Sequence, residues 1–301
     1  MTRGGTLRRR VVLAGVAGTT AGLAGCSGVF GGGSAVSVLA AGSLNDALEN
    51  GLRERVDQRV TVESHGSARV ARLVAEGQKD PDIVAVADVA LFESTLRPDW
   101  YAEFATNSLV LAYDADSQGG RRVAAAGTDG WWQPLLDGDV SLGRTDPDLD
   151  PLGYRTLFAL ELANDHYDTE TDLRAAIPDP AQLYPETQLV SQFETGAIDA
   201  AFTYRSMAVD RGYAFLDLPA AIDLGDPSLA DQYGSTSYEL PDGTVVSGAP
   251  ISYAATLRHE SGAANAVFEA LIGDGYLTEF GFTVPEAYPR YTGQPPDGVA
   301  S

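Results

Sequence analysis

Apolar positions along this chain switch between two periods. Val36–Ala40, Val60–Glu63 and Pro81–Val86 are compact apolar runs of strand length. Between them, Leu44–Val56 and Ser67–Glu76 carry apolar residues at the three-and-four spacing of an amphipathic helix. The alternation continues, with Leu109–Tyr113, Val140–Leu142, Ile198–Phe202 and Ile251–Thr256 reading as strands and Tyr154–Ala163 and Ala263–Ile272 as helices. Gly- and Pro-rich punctuation near 115–130 and 225–248 reads as loops. Strands alternating with helices predict an α/β fold with largely parallel sheets, and the length suits two domains.

Four strand-to-helix junctions collect the chemistry. They are Ala41-Gly42-Ser43-Leu44, His65-Gly66-Ser67-Ala68-Arg69-Val70, Asp150-Pro151-Leu152-Gly153-Tyr154-Arg155, and the run from Glu194-Thr195-Gly196 to Tyr204-Arg205-Ser206. Each offers a hydroxyl, a carboxylate or free backbone N–H groups where a helix begins, and helix N-termini favour anions. In open α/β sheets, ligands bind at the carboxyl ends of strands. Ser43 and Ser67 are the candidate hydroxyls, and an N-cap is the ordinary role for each; Gly66 is expected to permit close backbone approach. Asp150 reads as the N-cap of a helix opened by Pro151, with Asp146 and Asp148 competing in the same loop. Glu194 ends a helix just before Gly196, an electrostatically poor place for a carboxylate that asks for a local reason. Tyr204 ends the following strand, where its ordinary role is that of an amphipathic core residue. His65 reads as a polar loop residue.

Charge describes the solvent more than the activity. The net charge is −22, aspartate outnumbers glutamate, and the basic side is almost all arginine, with Lys79 the one lysine. A basic footprint for nucleic acid is missing. The acids are spread along a periodic chain rather than blocked, which fits a surface adapted to high salt, where self-repulsion is screened, as in a halophile.

The N-terminus speaks of export. Residues 1–25 carry four arginines and no acid, and Arg8-Arg9-Arg10 leads into a short apolar run. That run is too short to span a bilayer and fits a signal peptide of the twin-arginine type. It ends in Leu23-Ala24-Gly25-Cys26, similar to a lipoprotein processing box, followed by the Gly/Ser tether Ser27–Ser34. Cys26, the sole cysteine, is then expected to carry lipid and hold the mature chain on the extracellular face of the cell membrane. No disulfide is available to it.

Together these residues resemble the archaeal molybdate/tungstate-binding proteins of ABC transporters. The resemblance also takes in Ala85-Val86-Ala87-Asp88, Trp100–Asn107 and Gly293-Gln294-Pro295-Pro296 and spans nearly all of the mature chain. The stretch between Arg155 and Glu194 is shorter than usual for the family. The resemblance implies a two-lobed periplasmic-binding-protein type II fold with a hinge and an interlobe ligand cleft. On that scheme, 35–108 plus 209–301 form lobe 1 and 109–208 form lobe 2. It further implies a monomer that delivers molybdate or tungstate to an ABC permease, with no cofactor and no catalysis. Ser43, Ser67 and Tyr204 would hydrogen-bond the oxo groups, while Asp150 and Glu194 would bind molybdenum or tungsten directly. Sulfur and phosphorus do not readily take extra oxygen ligands, and sulfate would meet two unsatisfied charges.

Two alternatives stay open at this point. One is a binding protein of the same fold for sulfate, phosphate or an organic acid. The other is a surface hydrolase, against which stand three histidines in all, no Gly-x-Ser-x-Gly elbow and no His/Cys metal cluster.

Overall fold

The computed structural model describes residues 35–273, 275–297 and 299; the export signal, Cys26 and the tether lie outside the described residues. Two sheets organise the rest. The first has the order β12-β4-β11-β3-β1-β2, with β1 Val36–Ala41, β2 Val60–His65, β3 Ile83–Val86, β4 Trp100–Asn107, β11 Ile251–Leu257 and β12 Arg290–Gly293. The second has the order β6-β7-β5-β8, with β5 Leu109–Tyr113, β6 Leu142–Gly143, β7 Ala200–Tyr204 and β8 Ala214–Asp217. A small hairpin, β9 Ser237–Glu239 and β10 Val245–Ser247, stands apart.

The expected alternation is present, but the sheets are mixed rather than largely parallel. β1 runs parallel to β2 and β3, whereas β11 and β12 pair antiparallel with their neighbours. In the second sheet only β6 and β7 are parallel. The reason is the path of the chain, which crosses directly from β4 into β5 and later returns through β11. The return comes later than the expected boundary at 208. β8 pairs with β5 in the second sheet, and the helix Ala220–Asp223 packs on the long helix Pro151–Tyr167. Lobe 2 therefore continues to the start of β11.

The helix expected over Leu44–Val56 forms with an uneven bore: a tight turn at Gly42–Leu44, a wide one at Ala47–Leu52 and a narrow finish at Arg53–Arg55. Its apolar positions Leu44, Ala47, Leu48 and Leu52 are all buried. The helix Ser67–Ala75 buries Val70, Ala71 and Val74 against the opposite face of the same sheet. Both loop expectations need amendment. Gln118–Ala126 is a helix capped by Ser117, and 225–248 holds short helical turns as well as the hairpin.

Candidate functional site

The carboxyl ends of β1 and β3 and the junctions after β2 and β7 open onto one cleft of about 900 Å³ between the two lobes. Ser43, Ser67, Asp150 and Tyr204 all line it, together with Tyr154, Arg155, Ser206 and Tyr253. Lobe 1 supplies Ser43 and Ser67; lobe 2 supplies Asp150 and Tyr204.

Glu194 is not among the cleft-lining residues. Its carboxylate accepts from Arg211 Nη1 at 2.7 Å and from the Tyr213 hydroxyl at 2.8 Å. That exposed triangle answers the electrostatic objection to an acid at a helix end. The Tyr213 and Arg211 bonds hold its carboxyl below the usual range. Gly196 takes the left-handed conformation expected of it, with φ of 71°. The expectation that Glu194 joins Asp150 on one ligand is not met by this geometry. The competitors of Asp150 are also engaged elsewhere: Asp146 accepts from the Asp148 backbone N–H, and Asp148 accepts from the Tyr238 hydroxyl.

Neither serine is a cap. The Ser67 hydroxyl oxygen accepts from the Ala87 backbone N–H at 3.0 Å, tying the helix start to the end of β3; Gly66 holds the cap position without a side-chain bond. Gly66 has φ of −58°, and a Cβ there would meet nothing within 4 Å, so the close approach expected of it is not used within the protein. Ser43 Oγ lies 2.8 Å from the Tyr253 hydroxyl. Asp150 does cap its helix, accepting from Leu152 N–H at 2.9 Å. Gly153 makes that geometry possible, because a Cβ would lie 2.5 Å from the Pro147 nitrogen and push the preceding loop away. Burial raises the Asp150 carboxyl above its ordinary range.

Tyr204 meets a residue of the same motif that sequence reasoning passed over. Arg155 Nη1 donates to the Tyr204 hydroxyl oxygen at 2.7 Å, and the guanidinium stands 5.7 Å from that ring's centre. Burial pushes the Tyr204 phenol up to about 12, so it keeps its proton at neutral pH. Arg155 forms no ion pair with a carboxylate among the described residues. Its presence in the Asp-Pro-Leu-Gly-Tyr-Arg motif, one helical turn after the cap, was the signal available in the sequence. Ser206 was also missed, although it stands in the first turn of the helix after β7.

A hydroxyl has a single proton, so an oxygen already accepting a hydrogen bond directs that proton elsewhere. Ser67 accepts from Ala87, Tyr204 from Arg155 and Ser206 from the Asn107 amide. With these oxygens at the cleft wall, their protons are left for a ligand. The arrangement can therefore donate to an acceptor-rich guest. The lining is also locally balanced in an acidic protein, with arginines 69, 72, 155 and 211 against aspartates 46, 88, 150 and 210.

Residues 36–272 match the sequence profile of the bacterial extracellular solute-binding proteins. The chain belongs to that family. Among its relatives is a Haloferax volcanii protein provisionally named an ABC transporter molybdenum-binding protein, 54% identical over 97% of both chains. A molybdate/tungstate-binding protein of Thermococcus kodakarensis is 31% identical over 66% of this chain and 63% of its own. These bear out the resemblance read from the motifs. The relatives are solute-binding proteins, not enzymes.

Solved structures agree on the fold. The periplasmic molybdate-binding protein of Azotobacter vinelandii superposes with a TM-score of 0.54 at 15% identity, over 83% of this chain and all of its own. The substrate-binding domain of a Clostridium difficile protein provisionally named a molybdenum ABC transporter gives 0.55 at 17% identity, over 83% of this chain and 99% of its own. The two-lobed architecture of solute-binding proteins is thereby established here. It also explains why the cleft donors come from both lobes. Among the cleft-lining residues, Asp210 of lobe 2 is raised by burial and by Asp46 of lobe 1. No described helix is long and apolar enough to cross a membrane.

Proposed function

We propose that this solute-binding protein captures molybdate or tungstate in its interlobe cleft and delivers it to an ABC importer. The observation that carries the reading is the set of cleft-lining hydroxyls, Ser67, Tyr204 and Ser206, each already accepting from a donor within the protein, in a cleft that Arg155 also lines. Such a set is complementary to a small oxyanion, whose oxygens only accept. Ser43 adds a fourth hydroxyl from lobe 1. Asp150 faces the same space and is the one member of the expected metal-binding pair that lines the cleft; it would bind the central atom of the oxyanion. The names and motifs of the relatives support molybdate and tungstate over other anions. The other reading is sulfate, which the hydroxyl set would also suit and which a charged Asp150 would repel.

Calorimetric titration at high salt separates these readings. Molybdate and tungstate are expected to bind at least about a hundredfold more tightly than sulfate or phosphate, a difference of roughly 2.7 kcal/mol. Equal affinity for sulfate would overturn the assignment.

Around the site, the reading extends to the cell. The protein is exported through its twin-arginine signal and works as a monomer at a halophile's cell surface, held by lipid on Cys26. Fractionation of cells expressing Cys26→Ser is expected to move the protein from membrane to medium. A mutant as membrane-bound as the wild type would remove the lipid anchor from this account.

A further inference from the structure

The chain passes from lobe 1 to lobe 2 at Asn107-Ser108-Leu109, between β4 and β5. Asn107 is wholly buried there, and every hydrogen-bonding position of its carboxamide is used. Its Oδ1 accepts from the backbone N–H groups of Ser108 and Ser206, at 3.0 and 3.3 Å. Its Nδ2 donates to Ser206 Oγ at 2.8 Å and to the Tyr253 hydroxyl oxygen at 3.2 Å. The two backbone donors fix which end of the amide is oxygen, so the direction of the NH2 group is not free.

That direction propagates. Ser206 Oγ accepts a hydrogen bond from Asn107, so its own proton is left for the cleft it lines. The Tyr253 ring is clamped between Phe104 and Phe282, and its hydroxyl has two partners among the described residues, Asn107 and Ser43. Accepting from Asn107, it keeps one proton of its own, and Ser43 Oγ is the acceptor for it among the described residues. Ser43 then has an occupied lone pair and a free proton facing the cleft. One amide at the hinge thus sets one hydroxyl in each lobe.

We propose that Asn107 is a positioning residue for ligand binding: from the hinge, it holds Ser206 directly and Ser43 through Tyr253 as hydrogen-bond donors toward the cleft. The inference rests on the oxyanion reading above and adds to it the group that dictates donor polarity. Asn107 is not among the residues that line the cleft. It acts through the two serines, and because they belong to different lobes, the same amide prepares both sides of the cleft for one guest.

Asn107→Asp tests this with almost no change of shape. A carboxylate cannot donate, so Ser206 and Tyr253 must turn their protons back toward residue 107. Ser206 then presents lone pairs to the cleft, and Ser43 loses the bond that set it. Molybdate affinity, measured by calorimetry, is expected to fall about tenfold or more, and to recover in part as pH falls and the carboxyl regains a proton. The deciding measurement repeats the substitution in a Ser43→Ala/Ser206→Ala background. There the loss is expected to shrink to less than about threefold, since residues that act through one another are not additive. A loss of equal size in both backgrounds would mean that charge or hinge distortion is responsible, and would overturn the inference.

Tyr253→Phe gives an independent arm that preserves the ring packing. It is expected to weaken molybdate binding in the wild type and to have no further effect in Ser43→Ala; an undiminished effect there overturns the Tyr253 branch. If the wild type binds none of molybdate, tungstate or sulfate, the functional reading falls and takes this one with it. If it binds and the coupling is absent, this inference falls alone.

Discussion

Arg155→Met is expected to lower molybdate affinity about a hundredfold, within the range for removing one partner of a buried, hydrogen-bonded charge pair. The argument is one of counter-charge. Arginine stays charged at any accessible pH, yet Arg155 sits in the cleft wall with a neutral partner, the Tyr204 hydroxyl at 2.7 Å. Three of the four cleft arginines lack a carboxylate partner among the described residues; the fourth, Arg211, is held by Glu194. Arg69 and Arg72 are exposed, where water screens them, so Arg155 is the one whose charge is poorly solvated. A dianion in the cleft would add an anionic partner to the longer-range pull that Asp88 and Asp150 exert on the guanidinium.

The substitution also removes the donor that fixes Tyr204, so a second hydrogen bond to the ligand is weakened with the first. Thermal unfolding supplies the contrasting sign. Without ligand, Arg155→Met should unfold no earlier than the wild type, because an unpaired and partly desolvated charge has been replaced by an apolar chain. The upward shift of the unfolding midpoint on adding molybdate should shrink in step with the lost affinity. Arg155→Lys, which keeps the charge but not the planar fork, should fall between the two. Unchanged affinity in Arg155→Met would show that the guanidinium serves Tyr204 alone.

How much of this was legible in the sequence follows from how local each interaction is. β1, β2, β3, β5 and β11 were readable because their apolar runs are short and bounded by turn residues. β4, Trp100–Asn107, was not read as a strand, although all eight of its residues are buried. Glu103, Thr106 and Asn107 interrupt its apolar pattern, and their partners are distant in sequence. Glu103 is held by Arg290 and Tyr288 from the far end of the chain. The thread from Asn107 to Ser206 and Tyr253 joins residues 99 and 146 positions apart. The extent of lobe 2 was hidden for a similar reason, since the short, partly buried run Ala214-Phe215-Leu216 of β8 is assigned to the second sheet only by its pairing with β5, far earlier in the chain.

Junction chemistry picked out Ser43, Ser67, Asp150 and Tyr204, which the fold brings to one cleft, because each follows or ends a readable strand. It misled at Glu194. The unfavourable helix end was a sound observation, but a nearby arginine and tyrosine supply the compensation, and neither is identifiable as a partner without the fold. Arg155 stood in a motif that had been noticed for its cap. Only the folded helix shows that the residue one turn on projects into the same cleft.

Asp150→Asn carries the sharpest test of how the ligand is held, because it is expected to move stability and affinity in opposite directions. Asparagine caps a helix as well as aspartate does, so the bond from Leu152 survives. Burial raises the Asp150 carboxyl above its ordinary value of 3.8. A folded pKa above the unfolded one contributes stability at pH below the unfolded value, and that contribution is lost as pH rises through the folded value. The ligand-free variant should therefore match the wild type in acid and unfold at a higher temperature near neutral pH.

Affinity for molybdate and tungstate should instead fall by about tenfold or more if the carboxylate binds the metal centre, a loss of at least roughly 1.4 kcal/mol. A carboxylate that merely repels the oxyanion gives the reverse: tighter molybdate and newly admitted sulfate. Glu194→Gln is the matched control. The Tyr213 and Arg211 bonds lower its carboxyl, so its contribution to stability is present above the ordinary value of 4.5 and lost as pH falls through the folded one. It should cost a little stability near neutral pH and leave affinity alone. X-ray absorption on the tungstate complex then reads the coordination directly. With Asp150 bound, the shell holds more than four oxygens and loses the addition in Asp150→Asn. A four-oxygen tetrahedral shell in the wild type would leave Asp150 as a cap and remove it from the metal.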